Sequence, residues 1–333
     1  MTGVNANGRL SLSLACWDYD RTRALADGRV RPEGIDLTYI SLPVEETFFR
    51  TITYAEFDVA ELSLSSFVLS RDRGDERFVA LPIFPSRSFR HSGIYVAEGG
   101  GIKKPTDLAG RRVGLAEYQL TALVWIRGIL AEFHELPFDA VTYVTAGLEE
   151  AGRREKIPVE VPERVRIEAA PPGSTLSQML QHGEIDAIYS PRTPSTLGAG
   201  VRRLYPDFET AERDYFQRSQ IFPIMHTMVL KRTLYEAHPW TARSLIKAFD
   251  AALAYVESDL QETTALKYAL PWAVSQAEAM HQLMGPNPWA NGVEQNRSGL
   301  ETFLRYAHEQ GLIQELPEAA ALFVPESIES FAI

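Results

Sequence analysis

A single cysteine, Cys16, stands among 333 residues. No disulfide can therefore close within the chain, and no cysteine-based zinc site can be assembled. No run approaches the roughly 18 apolar residues that a membrane-spanning helix needs. The opening Met-Thr-Gly-Val-Asn-Ala-Asn-Gly-Arg lacks the basic-then-apolar order of a secretory signal, so a cytoplasmic protein is expected. Positive charge is also scarce: 33 Lys and Arg against 44 Asp and Glu give a net charge of −11. That balance argues against nucleic acid or an anionic membrane as partner. It leaves room for a locally positive cleft that takes a small anion. The loops Gly-x-x-x-x-Gly-Lys-Ser/Thr and Gly-x-Gly-x-x-Gly are absent, as are His-Glu-x-x-His and Gly-x-Ser-x-Gly. P-loop hydrolases, Rossmann dehydrogenases, zincins and α/β-hydrolases are disfavoured accordingly.

What is present is an alternation of strand and helix patterns, the signature of an α/β protein. Leu10 to Trp17 reads as a strand that stops at Asp18-Tyr19-Asp20-Arg21. Gly34 to Ile40 is a second strand, Val44 to Tyr54 a helix, and Phe57 to Ser65 a third strand whose end presents Ser63 and Ser65. Between the apolar runs at Leu81 and at Ile94–Val96 lies a polar loop carrying Ser86, Arg87, Arg90 and His91. Two arginines and a histidine there call for water or an anion as partner. A linker, Gly99–Gly101, precedes a strand ending near Ala116, and Tyr118 and Thr121 then open a helix from about Ala122 to Phe133. A helix N-terminus of this kind suits an anion. Ile185 to Tyr189 is another strand, followed by the proline-stiffened loop of Arg192, and His226 interrupts the apolar run Ile221–Leu230. Helical patterns follow at Trp240–Leu260, Thr263–Ala269, Val274–Met284 and Arg297–Gln310, and an apolar Leu322-Phe-Val stretch comes near the end.

Bland readings exist for each candidate. Asp18 and the serines can cap helices, Arg192 can be a surface residue, and His226 can be a satisfied core residue. Strand ends in open α/β sheets line the ligand crevice, however. The pattern suggests two lobes, residues 1–96 plus 226–333 and residues 97–225, with a ligand cleft between them. Asp18, Tyr19, Arg21, Ser63, Ser65, Ser86, Arg87, Arg90, His91, Tyr118, Thr121, Arg192 and His226 can converge there.

Several stretches resemble the 4,5-dihydroxyphthalate decarboxylase family. They include Cys-Trp-Asp-Tyr-Asp-Arg-Thr (16–22), Val-Arg-Pro-Glu-Gly-Ile-Asp-Leu (30–37) and Phe-Asp-Val-Ala-Glu-Leu-Ser-Leu-Ser (57–65). Pro-Ile-Phe-Pro-Ser-Arg-Ser-Phe-Arg-His-Ser (82–92), Asp-Leu-Ala-Gly-Arg-Arg-Val-Gly (107–114) and Phe-Pro-Ile-Met-His-Thr-Met-Val-Leu (222–230) continue the likeness. So does Asn-Pro-Trp-Ala-Asn-Gly-Val-Glu-Gln-Asn-Arg (287–297). The resemblance implies a two-lobed type 2 periplasmic-binding-protein-like fold. It also implies decarboxylation of a small anionic aromatic substrate, 4,5-dihydroxyphthalate, to protocatechuate and carbon dioxide.

Under that implication His91 donates a proton to the ring, Arg87 and Arg90 clamp a carboxylate, and Arg192 closes from the other lobe. His226, with Asp18 or Tyr19, orients or deprotonates the catechol. Tyr19, Arg21, Ser63, Ser65, Ser86, Tyr118 and Thr121 complete the substrate contacts. The para hydroxyl can push electrons onto the ring carbon that bears the leaving carboxylate, so no cofactor is obligatory. A divalent metal on His91, His226 and a carboxylate is the alternative. A solute-binding protein for an aromatic carboxylate, or another lyase of the same fold, stays open, as does assembly into a homo-oligomer.

Overall fold

A computed structural model describes residues 3–153 and 155–325. Its strands in chain order are β1 (Leu10–Ala15), β2 (Ile35–Ile40), β3 (Val59–Ser63), β4 (Phe78–Leu81), β5 (Ile94–Ala97), β6 (Arg112–Leu115), β7 (Thr142–Thr145), β8 (Arg166–Ala169), β9 (Ala187–Tyr189), β10 (Val201–Arg203) and β11 (His226–Lys231). They form a five-stranded sheet, β2-β1-β3-β11-β4, and a six-stranded sheet, β10-β5-β9-β6-β7-β8. Both are mixed. In the first, β1 runs parallel to β2 and β3, while β11 is antiparallel to β3 and β4. Antiparallel β11 is what returns the chain to its first sheet. Helices cover the faces, and all five residues of β3 are buried, as expected for a central strand packed on both sides.

Two crossover segments join the sheets, and they are bonded to each other. Arg87 and Ile224 form an antiparallel bridge. Ser88 N–H donates to the Pro223 carbonyl at 3.0 Å, and Met225 N–H to the Ser86 carbonyl at 2.8 Å. The polar loop 86–91 is therefore a half-paired extended segment lying between the lobes. Arg87 ties it to the C-terminal region through Ala290 O and Asn296 Oδ1, each at 2.7 Å.

The helix Val293–Glu309 does not stay with the first sheet. It packs on the helix Thr121–His134, with Trp125 5.7 Å from the rings of both Phe303 and Tyr306. A boundary at residue 226 thus separates the strands of the two sheets but leaves this last helix across the junction. The helix expected at Thr263–Ala269 is not formed, and the chain bends there instead. Thr264 N–H bonds to the Glu262 side chain, and Leu266 and Leu270 stand half exposed, so no apolar face repays helix formation. The apolar stretch near Phe323 makes one bridge, to Ala80, rather than a strand. Among the described residues no helix is long and apolar enough to cross a membrane.

Gly128 lies where the two helices cross. A Cβ there would come within 2.1 Å of the Tyr306 ring. Gly→Ala in a helix normally stabilises by about 1 kcal/mol. Here Gly128→Ala is expected to destabilise by about 1–3 kcal/mol, read as a lowered urea midpoint, because the rigid ring must shift.

Candidate functional site

The site is built on the pairing of β3 with β11. In the antiparallel register His226 lies opposite Ser63, and Met228 opposite Glu61. Side chains two apart on a strand share a face. Glu61 and Ser63 thus point the same way, with His226 diagonal to the carboxylate and within reach of it. His226 Nδ1 is 2.6 Å from Glu61 Oε1.

Glu61 is fully buried in a sheet interior and takes four donors. The Tyr19 hydroxyl donates to Oε1 at 2.7 Å, Trp17 N–H to Oε2 at 3.0 Å, and the Cys16 thiol to Oε2 at 3.5 Å, besides His226. Burial favours the neutral acid, but the bond and charge of His226 and the bonds from Trp17 and Tyr19 outweigh it. The carboxyl is held below its ordinary range. A carboxylate accepts only, so His226 carries its proton on Nδ1 and keeps Nε2 for other work. Burial and the adjacent carboxylate push the Tyr19 hydroxyl well up, so it stays a donor. The Phe48 ring, 4.8 Å away and edge-on, completes the imidazole's seat.

His226 opens on a cavity of about 390 Å³ between the sheets. Tyr19, Ser63 and Ser86 line it from the first sheet's side, and Thr121, Lys156 and Arg192 from the second. Ser63 Oγ and Thr121 Oγ1 meet across the lobes at 2.9 Å. Arg90 enters from the crossover, with its Nε near Met225 Sδ and no carboxylate within ion-pair distance among the described residues. Burial lowers its pKa to about 10, against the opposing charge of Glu212, so it remains a cation at neutral pH. A buried cation and an imidazole on the walls of one cavity, together with aromatic and aliphatic side chains, suit an aromatic acid.

Several expected residues lie elsewhere, and the reasons are physical. Asp18 is more than half exposed and pairs with Arg23 at 3.4 Å. Arg21 is sandwiched between the Tyr19 and Trp289 rings, 4.0 and 4.3 Å from their centroids, and so supports Tyr19 from behind. Ser65 is buried, and its N–H donates to Thr121 Oγ1 at 3.0 Å. Tyr118 is buried under Arg127 and donates to Gln310 O at 3.2 Å.

The stretch 86–91 alternates as extended chain must. Ser86 and Arg90 face the cavity, whereas Arg87 turns to the C-terminal segment and His91 to the second sheet's helices. His91 sits 5.3–5.8 Å from the rings of Tyr205, Tyr215 and His134, and neither ring nitrogen has a partner among the described residues. His91 and His226 therefore do not share one cavity, and the geometry does not make His91 the donor to a ligand held beside His226. Among the described residues no three His, Cys, Asp or Glu side chains are grouped as metal ligands. Sequence reasoning passed over Glu61, Glu45 and Lys156. The signal for Glu61 was available: one charge inside an apolar strand must be paired or neutral.

No protein-family model matches the chain. A curated protein of Comamonas testosteroni named 4,5-dihydroxyphthalate decarboxylase is 40% identical over 328 residues, 98% of this chain and 99% of that protein. One of Pseudomonas putida with the same name is 44% identical over 212 residues, 63% of this chain and 82% of that protein. Among solved structures, the alkanesulfonate-binding protein of Xanthomonas axonopodis bound to MOPS superposes with a TM-score of 0.53 at 10% identity, covering 94% of this chain and 98% of that one. A Candida albicans protein described as having the generic periplasmic binding protein fold gives 0.53 at 11% identity, covering 97% and 98%. The fold is the periplasmic-binding-protein-like one.

The position of His91 has a consequence for pH. Burial first, and the neighbouring His134 second, lower its pKa to about 4 from 6.5, with Asp214 opposing. Its folded pKa lies below the unfolded one, so stability is complete above pH 6.5 and lost as pH falls toward 4. The loss amounts to about 3 kcal/mol. His91→Phe should keep neutral-pH stability and flatten this acid limb in urea titrations between pH 7 and 4. An unchanged limb would contradict the burial of a neutral imidazole.

Proposed function

Since this chain belongs to the 4,5-dihydroxyphthalate decarboxylase family, we propose that it converts 4,5-dihydroxyphthalate to protocatechuate and carbon dioxide by protonating the ring carbon that bears the leaving carboxylate. The observation that carries the mechanism is His226 on the wall of the cavity, paired behind it with the buried Glu61. Each carboxylate of the substrate is para to one hydroxyl. The hydroxyl's lone pair raises electron density at that carbon, and His226, as imidazolium, gives it the Nε2 proton. The new C–H bond uses ring π electrons and leaves a dienone-like intermediate. The C–C bond to the carboxylate then breaks, its electron pair restores the aromatic ring, and carbon dioxide leaves. Water returns a proton to His226.

In this reading Glu61 is a positioning residue: it fixes the tautomer and stabilises the imidazolium. Arg90 holds a carboxylate by charge-assisted hydrogen bonds. Phe48, Leu120 and Met225 flank the ring. The chemistry needs no electron sink, so the proposal is cofactor-free.

Incubation of the protein with 4,5-dihydroxyphthalate in D2O, followed by mass spectrometry, tests the reaction. Protocatechuate with one carbon-bound deuterium is expected, and recovery of unchanged substrate would favour a solute-binding protein instead. His226→Ala should lower kcat by about 10²–10⁴-fold. Glu61→Gln should lower it by about 10² or more, because an amide can hold the wrong tautomer. Arg90→Gln should act mainly on KM, and His91→Phe should turn over like wild type. Chelation should leave turnover unchanged. Loss of turnover restored by one divalent ion would instead assign the two hydroxyls to a metal.

A further inference from the structure

A second charged group lies on the cavity wall away from Arg90, and it comes largely from the second sheet's side. Glu117 is fully buried, yet accepts from Arg153 Nε at 2.9 Å, from Lys156 Nζ at 2.8 Å and from Lys156 N–H at 3.1 Å. Arg153 continues across the cleft to Glu45 on the first sheet's helix Val44–Tyr54, with Nη1 at 3.1 Å and Nη2 at 3.2 Å. Arg192 reaches the same carboxylate at 3.4 Å. Burial opposes ionisation of Glu45, but Arg153 and Arg192 outweigh it and hold the carboxyl below its ordinary range. Glu45, Lys156 and Arg192 all border the cavity that His226 opens on. They also border an adjoining space of about 520 Å³ toward the loop 147–152.

The charges do not cancel. Arg153, Lys156 and Arg192 form ion pairs with Glu45 and Glu117, three cations against two carboxylates, which leaves this cluster one positive charge in surplus; Arg90 stands apart from it, opposed only at longer range by the charge of Glu212. The pair of His226 as imidazolium with Glu61 is neutral and does not change that surplus. One carboxylate of an aromatic acid can meet Arg90, and a second is needed to meet the surplus of this cluster. The buried Glu117 keeps Lys156 from swinging into solvent, so part of this cluster is ordered in advance.

We propose that Lys156 and Arg192, held by Glu117 and Glu45, form a second carboxylate subsite distinct from Arg90, which makes the cleft selective for aromatic dicarboxylates. This rests on the decarboxylase reading of the cleft and adds its selectivity. It also supplies a means of product release. Once one carboxylate has left as carbon dioxide, the product can no longer engage both positive groups and its hold weakens.

Calorimetric titration of the full chain with phthalate and with benzoate tests this without turnover. Wild type should bind phthalate about tenfold or more tightly than benzoate. Lys156→Gln and Arg192→Gln should each weaken phthalate by about fivefold or more while leaving benzoate nearly unchanged. Arg192 is largely exposed, so its variant keeps the fold even if that of Lys156 does not. Variants that retain the full preference for phthalate, or that lose both ligands equally, would overturn the subsite. A wild-type protein that binds neither ligand would instead overturn the reading of the cleft on which the subsite rests.

Discussion

Everything at the site hangs from one buried carboxylate. Glu61 lies in the middle of β3, in a position where an unpaired charge would cost several kcal/mol. It is tolerated because four donors converge on its two oxygens. Each donor is thereby fixed in turn. The backbone of Trp17 sets the end of β1, the Tyr19 hydroxyl is turned inward, and His226 is locked in one tautomer. Arg21, stacked on the Tyr19 ring and bonded to the Pro85 carbonyl, extends the network to the first crossover. Removing any one donor leaves the carboxylate underpaired, so the group behaves as a unit rather than as separable contacts.

The second constraint is the paired crossover. Strands β4 and β5 belong to different sheets, and so do β10 and β11, so the chain passes twice between the lobes. The two passages bond to each other and to the C-terminal segment through Arg87. Arg87 is therefore a structural cation in a place where a carboxylate clamp was expected. Burial lowers its pKa to about 9, and two acceptors at 2.7 Å hold it in place. Arg90, three residues on, has no such acceptors and faces the cavity. The difference between these two arginines lies in what surrounds each, not in their side chains.

That contrast explains how far the sequence could be read. The α/β class, the two lobes and most helices follow from periodicity, because burying an apolar face dictates it. The convergence of Tyr19, Ser63, Ser86, Arg90, Thr121, Arg192 and His226 on one cavity also follows, since strand ends in such sheets meet at the crevice. The orientation of neighbours along an extended segment does not follow. Ser86 and Arg90 could be told from Arg87 and His91 only after the pairing with Pro223–Met225 had set the face. The register of β3 against β11 was likewise hidden, so His226 stood without its partner although Glu61 was conspicuous in an apolar strand. Lys156 and Glu45 gave no local signal, because their role depends on a contact across the lobes.

The likeness to the sulfonate-binding neighbour is one of fold alone, and a cleft between two sheets does not by itself fix what happens in it. What a binding protein requires there is charge and shape. A decarboxylase requires in addition a proton held at a defined point and a site that does not hold its product as firmly as its substrate. On the proposed mechanism the two requirements fall on different lobes of this chain. The pair proposed to handle the proton belongs to the first sheet, where β3 and β11 are hydrogen-bonded and buried. The cations Lys156 and Arg192 belong to loops of the second sheet's side, which reach the first sheet's helix Val44–Tyr54 through the pairs of Arg153 and Arg192 with Glu45. A carboxylate bound by those loops links the lobes only while it is present. If that carboxylate is the one lost as carbon dioxide, the link goes without disturbing His226 and Glu61. Division of labour between a fixed wall and a charge-held wall is thus a physical route from a binding cleft to a catalytic one.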